Sequence, residues 1–236
     1  GLAAVGSRII TRAEGVYLWD SEGNRILDGM AGLWCVNVGY GRKALAEVAR
    51  DQLCELPYYN SFFQTAHPPA IELSSLLADI TPAGLNRAFY TNSGSEANDT
   101  VIRMVRRYWD LVGQPQKKVI ISRTWAYHGS TMGAGSLTGM PEMHAQGGLP
   151  IADIEHIHAP YSYRYSRGMP AEEFGLNSAR ALEAKIQQLG VDRVAAFIGE
   201  PVQCAGGVII PPSSYWPEIR RICEEYGILL VVDEVI

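Results

Sequence analysis

Apolar and polar positions alternate from Ser7 to Asp28 on either side of Ser21-Glu22-Gly23-Asn24, as in Val16-Tyr17-Leu18-Trp19 and Arg25-Ile26-Leu27. A period of two around a polar turn predicts antiparallel strands. A Gly-rich stretch from Gly29 to Gly41 then leads to a helical period between about Lys43 and Glu55, where Leu45, Val48, Ala49, Gln52 and Leu53 share a face and Pro57 closes the run. A second helix follows Pro68-Pro69, carries Leu73, Leu76, Leu77 and Ile80, and ends at Thr81-Pro82. Beyond it, apolar runs at Arg87–Thr91, Val119–Ser122, Ala195–Gly199 and Leu229–Asp233 alternate with helical periods at Glu96–Val112, Ser130–Leu137, Ser178–Leu189 and Tyr215–Tyr226. Strand and helix in alternation predict an α/β fold, a mostly parallel sheet with helices on both faces, preceded by a small N-terminal α+β segment. The boundary is placed after residue 60, giving a small-domain segment over 1–60 and a large domain over 61–236. The large domain reads as cut short, because Ile236 follows an apolar strand with neither turn nor cap. The stretch from Thr138 to Phe174 has little periodicity and is expected to be a functional loop.

With 236 residues, 47% of them hydrophobic and 19% charged, the chain has enough apolar material for a substantial core, and disorder is excluded. Acidic residues outnumber basic ones by 25 to 20, and no basic run exceeds pairs such as Arg106-Arg107 and Lys117-Lys118. That balance argues against a nucleic-acid partner. The longest apolar runs, such as Ile228 to Val232, are too short to span a membrane, and the first residues lack a basic segment followed by an apolar one. A cytoplasmic protein without membrane contact is expected. Four scattered cysteines, Cys35, Cys54, Cys204 and Cys223, have no C-x-x-C spacing and read as reduced, most of them core filler.

Ligands of an open parallel sheet bind beyond the carboxyl ends of its strands, so the residues after each strand are the candidates for chemistry. After Arg87–Thr91 come Ser93, Gly94 and Ser95, a small turn opening a helix whose free N–H groups suit a phosphate. Ser93 and Glu96 have the spacing of a capping box, which needs no anion, and both roles can hold together. After Val119–Ser122 come Trp125, Tyr127 and His128. The aromatics either stack on a flat ligand or cover the core, and His128 beside Gly129 is either structural or catalytic. After the last two strands come Glu200 and Asp233-Glu234, carboxylates that require a cationic or hydrogen-bonding partner at a buried strand end. A phosphate turn, a ring and a carboxylate at one edge suggest a ligand with a phosphate, a flat ring and a protonatable atom, which is the shape of pyridoxal 5'-phosphate. Nucleotide loops are missing: Gly133-Ala134-Gly135-Ser136-Leu137-Thr138-Gly139 has the wrong spacing. His156 and His158 lack a carboxylate or Cys partner and make a poor metal site, so no metal is expected.

Four motifs then stand in order along the chain: Asn92-Ser93-Gly94-Ser95-Glu96-Ala97-Asn98, Tyr127-His128-Gly129, Gly199-Glu200-Pro201-Val202-Gln203 and Val232-Asp233-Glu234-Val235. Together they resemble the class III pyridoxal-phosphate aminotransferases. Gly32-Leu33-Trp34-Cys35-Val36-Asn37 and Asn60-Ser61-Phe62-Phe63 resemble the ω-transaminase branch, of amine:pyruvate or putrescine:pyruvate type. The resemblance implies the large domain of a fold-type I transferase. It implies that Ser93, Gly94 and Ser95 hold the cofactor phosphate, that Tyr127 and Val235 cover the two faces of the ring, and that Asp233 pairs with the ring nitrogen. His128 and Glu200 would stand behind them. Trp34, and Phe62 reaching from a neighbouring subunit, would meet the substrate, an amine or diamine such as putrescine with a keto acid, pyruvate, as acceptor; Glu142, in the loop after the helix that follows Tyr127-His128-Gly129, either takes the distal ammonium of a diamine or is a solvated loop residue. A homodimer or dimer of dimers is implied as well. Relatives using ornithine-type substrates with 2-oxoglutarate carry a Glu where this chain has Ala205.

The family's Schiff-base lysine lies after the Asp-Glu motif. Lys43, Lys117, Lys118 and Lys185 do not match it and read as solvated surface. This stretch alone is therefore expected to be inactive, and the alternative reading, a non-catalytic cofactor-binding or subunit-interaction protein, stays open. A serine hydrolase is a distant third, since no G-x-S-x-G elbow occurs.

Overall fold

The computed structural model describes residues 6–61 and 63–236, and its contacts divide the chain after Ala88 into two compact units. The boundary drawn from the sequence after residue 60 differs from this division by one helix, Pro68–Ile80.

In the first unit, β1 (Ile10–Glu14), β2 (Tyr17–Asp20) and β3 (Arg25–Leu27) form an antiparallel meander in that order. Its second turn is held by Asp20, whose Oδ1 accepts from the Glu22 and Asn24 amides at 3.1 and 2.9 Å. The following α1 (Ala31–Trp34) is a single left-handed turn, with φ of 48°, 63°, 70° and 64° at its four residues. Three of the four carry side chains, for which this region is sterically costly. Asp28 offsets the cost: its carboxylate accepts from the Met30 amide (3.1 Å), the Gly32 amide (2.8 Å) and the Tyr40 hydroxyl (2.7 Å). The Tyr40 hydrogen bond, with those amides, holds the Asp28 carboxyl below its usual range. Helices α2 (Lys43–Glu55) and α3 (Pro68–Ile80) have the bounds that their periodicity and prolines predict.

The second unit is built on a four-stranded parallel sheet. Strands β4 (Val119–Arg123), β5 (Ile154–Ile157), β6 (Val194–Gly199) and β7 (Leu229–Val232) run side by side in the order β5-β4-β6-β7. Alternation along β4 sends neighbouring side chains to opposite faces. Ile121, with Phe197, packs under α8 (Ala171–Leu189) and α9 (Tyr215–Glu225) through Leu182, Ile186, Ile219 and Ile222. Ile120, with Ala196 and Ile198, packs under α4 (Gly94–Leu111) through Ile102, Val105 and Trp109, and against Leu137 of α5 (Met132–Leu137). Both faces of the sheet are thus covered.

Four expectations change. Residues 87–91 form no strand, since a strand needs a ladder and neither sheet of the described residues includes them. The supposed loop from Thr138 to Phe174 contains β5, which pairs with β4 from Ile120↔Ile154 to Arg123↔Ile157, the helical turns α6 (Pro141–His144) and α7 (Ser162–Tyr165), and the start of α8. Of the cysteines, only Cys223 is buried, where desolvation pushes its thiol up to about 12; Cys35 and Cys54 are exposed. Lys117 is buried rather than solvated, its Nζ donating to Gly227 O at 2.8 Å and lying 4.1 Å from the centre of the Trp109 ring. Among the described residues no helix is long and apolar enough to cross a membrane.

Candidate functional site

From β4 the chain passes to β5 on one side, and from β6 it passes to β7 on the other. The loops leaving β4 and β6 therefore part in opposite directions, which opens a crevice at the carboxyl ends of the two central strands. Ser93, Ser95, Tyr127, His128, Glu200 and Asp233 gather there.

Ser93 caps α4, its Oγ accepting from the Glu96 amide at 3.2 Å. The returning arm of the capping box reaches one residue further than predicted, because Glu96 Oε2 accepts from the Asn92 amide (2.9 Å) and side chain (3.1 Å). Helix geometry leaves the first-turn amides of Gly94 and Ser95 without intrahelical acceptors, and the place of a Cβ on Gly94 has no atom within 4 Å. The loop after β4 docks on this turn: the Ser130 amide donates to Ser95 Oγ at 3.0 Å. Gly129, at φ 129°, permits the approach, since a Cβ there would lie 2.8 Å from Ser95 Cα.

Asp233 directly follows β7 and is the electrostatic centre of the site. Its Oδ2 accepts from His128 Nδ1 (2.8 Å) and Asn98 Nδ2 (3.1 Å), and Asn98 also donates to His128 O at 2.7 Å. Burial pushes the Asp233 carboxyl up, but these hydrogen bonds and the imidazole more than offset it and hold the group below its usual range. The side chain keeps 20% exposure, so the anion remains reachable. His128 is buried, fixed at its backbone by Thr138 Oγ1, which accepts from the His128 amide at 2.9 Å. Tyr127 beside it is 43% exposed and presents a ring at the edge, whereas Trp125 is half-buried. Glu200 is buried, and its Oε1 accepts from the Tyr127 amide at 3.0 Å.

A single hydrogen-bonded constellation therefore joins the first turns of α4, the loop after β4 and the ends of β6 and β7. Asn98 and Arg123 belong to it and were not singled out by sequence reasoning. Asn98 shares a helical face with Ile102, Val105 and Trp109, all buried, and a polar residue at a core position of an amphipathic helix was the available signal. Arg123, at the end of β4, supplies the cationic partner that the buried Glu200 demands.

Trp34 closes the left-handed turn of the first unit and is 37% exposed. Phe62 lies outside the described residues. Glu142 sits exposed in the first turn of α6, its carboxylate without a hydrogen bond or ion pair among the described residues. Val235 is 63% exposed.

Pyridoxal phosphate fits what the crevice offers: open amide donors for a phosphate, an exposed flat side chain for a ring, and a reachable carboxylate kept ionised for a protonated ring atom.

The family model for aminotransferase class-III matches residues 3–236. Putrescine--pyruvate aminotransferase of Pseudomonas aeruginosa is 60% identical over 231 residues, covering 98% of this chain and 51% of that protein. Diaminobutyrate--2-oxoglutarate transaminase of Halomonas elongata is 43% identical over 232 residues, covering 97% and 50%. Among solved structures, an (S)-enantioselective omega-transaminase from Thermomicrobium roseum superposes with a TM-score of 0.95 at 46% identity, covering 98% of this chain and 52% of its own. The omega transaminase of Pseudomonas jessenii in complex with PMP gives 0.95 at 41%, covering 98% and 51%. The chain spans about half the length of the curated relatives it matches.

Proposed function

The chain belongs to the class III aminotransferase family, and on that premise we propose that the whole protein transfers an amino group from an amine or diamine of the putrescine kind to pyruvate, with pyridoxal 5'-phosphate as its cofactor. The observation that carries the proposal is the Asp233 carboxylate, fixed by His128 and Asn98 at a sheet edge that also presents the open first turn of α4 and the exposed Tyr127 ring. The relative acting on putrescine and pyruvate is more similar to this chain than the one acting with 2-oxoglutarate, which favours pyruvate as acceptor.

When bound, the cofactor draws electrons from the substrate carbon through its protonated ring. Asp233 holds that proton at the ring nitrogen, and His128 and Asn98 orient the carboxylate for the task. Ser93, Gly94 and Ser95 bind the phosphate with backbone and hydroxyl donors. Tyr127 and Val235 would pack against the ring of the bound cofactor. Glu200 supports Tyr127 from behind. Glu142 takes the distal ammonium of a diamine through a charge-assisted hydrogen bond. The protein works in the cytoplasm as a homodimer or dimer of dimers.

Asp233→Asn in the full-length protein tests the reading. The variant is expected to retain cofactor, measured by its visible absorbance, while turnover of putrescine with pyruvate falls by roughly two orders of magnitude or more, as for loss of a group acting on the reacting system. Near-normal turnover would exclude the role of Asp233. A wild type that binds cofactor without turnover would instead favour the non-catalytic alternative.

A further inference from the structure

Arg123 has the largest fully buried side chain of the described residues, with no exposed surface. Its Nη2 donates to Glu200 O at 2.5 Å and lies 3.4 Å from Glu200 Oε2, and among the described residues Nε and Nη1 meet no carbonyl or carboxylate acceptor. The guanidinium rests near the rings of Tyr215 and Trp216, 5.8 and 5.4 Å from their centres, and against Gly199, where a Cβ would stand 3.1 Å from its Cζ. A buried Arg–Glu pair adds little net stability, and apolar residues of similar volume commonly replace such pairs without loss. Its geometry relates instead to the crevice. Arg123 ends one central strand and Glu200 follows the other, so the pair spans the crevice floor between β4 and β6.

The Glu200 carboxylate anchored in this way faces two site residues. Oε1 takes the Tyr127 amide at 3.0 Å, and Oε2 stands 3.8 Å from His128 Nε2, the nitrogen opposite the one that meets Asp233. Arg123, Glu200, His128 and Asp233 thus form a line that reaches from the sheet interior to the exposed carboxylate. We propose that Arg123 is a positioning residue for the cofactor ring: it fixes Glu200, and through Glu200 it sets the Tyr127 backbone beneath the ring and the His128 imidazole behind Asp233. The proposal rests on the cofactor reading of the same crevice.

The test uses the full-length protein, wild type, Arg123→Lys and the charge-neutral double variant Arg123→Met/Glu200→Gln. Three quantities are measured: the melting temperature of the cofactor-free form, the Kd for added pyridoxal phosphate by titration, and the visible circular dichroism of the bound cofactor, which reports how its ring is held. The double variant is expected to melt within a few degrees of wild type, because a buried pair is exchanged for neutral groups. It should nevertheless bind about ten-fold or more weakly, as for loss of an outer-shell partner, with a diminished visible dichroism. Arg123→Lys, which keeps the charge but not the fork, should lose about three-fold. A folded double variant with unchanged Kd and dichroism would overturn the proposal. If the double variant does not fold, Arg123→Lys decides: wild-type melting with weakened binding supports the proposal, and wild-type binding overturns it. Wild-type protein that binds no cofactor would sink the reading of the crevice, and the role of Arg123 with it.

Discussion

Replacing Asn98 with Ala removes one side chain and two hydrogen bonds at the centre of the site. One goes to a neutral carbonyl, His128 O at 2.7 Å, and the other to the Asp233 carboxylate at 3.1 Å. The first contributes about 1 kcal/mol and the second, made to a charged group, about 1.5–3 kcal/mol, so their loss costs about 2.5–4 kcal/mol. Because Asn98 is buried, water replaces neither bond cheaply. The cost should appear where the bonds are made. Hydrogen exchange of peptides covering 126–130 and 229–236 reads the opening of the loop after β4 and the end of β7, through the His128 amide on Thr138 Oγ1 and the Asp233 amide on Gly199 O. Protection there should fall by about two to three orders of magnitude, at about 1.36 kcal/mol per factor of ten. A second reading comes from pH. The folded Asp233 carboxyl is depressed, so its contribution to stability is present above the ordinary carboxylate range and is lost as pH falls through the lower, folded value. Removing one of the donors that depress it raises that folded value, and the acid unfolding of the variant should begin at a higher pH than in wild type. A fall in protection of less than about three-fold, under 1 kcal/mol, with an unmoved acid transition would refute the reasoning.

Two further substitutions probe other levels. Gly139→Ala places a Cβ 2.0 Å from Arg123 O and 2.8 Å from Thr124 Cα, a backbone clash expected to cost about 4 kcal/mol or more, seen as loss of soluble protein or a strongly lowered melting temperature; wild-type stability would mean that the loop after β4 shifts freely. Glu142→Gln should lose about ten-fold in kcat/KM for putrescine and little for a neutral-tailed monoamine of similar length, since only the diamine loses a charge-assisted bond; equal losses for both amines would remove Glu142 from the pocket.

The sequence displays those parts of the site whose signal is local. Asp233 and Glu200 are conspicuous because each follows an apolar run, and Ser93 and Glu96 because capping acts over three residues. Helices α2 and α3 are bounded by prolines and fall where expected. Arg123 and Asn98 are defined by partners 77 and 135 residues away, and no short window contains both ends of such a contact. Strand β5 is hidden for a different reason. Only Ile154 and Ile157 are buried, and its middle residues are polar because Glu155 pairs with Lys185 (3.0 Å) and His156 Nε2 lies 3.2 Å from Leu137 O. Conversely, Arg87–Thr91 has the composition of a strand but enters neither sheet of the described residues, because an apolar run becomes a strand only within a ladder.

The same long separations carry a consequence for how the protein is made. Asp233 meets Asn98 and His128 across 135 and 105 residues of chain, and contacts of that span form late because their loops must close first. During synthesis the first turn of α4 and the Tyr127 ring leave the ribosome long before Asp233, so a nascent chain carries the open helix turn and the ring without the carboxylate that His128 and Asn98 later fix. On the proposed cofactor reading, tight capture would wait until β7 has docked beside β6, and by mass action binding would withdraw only correctly threaded chains from the folding pool.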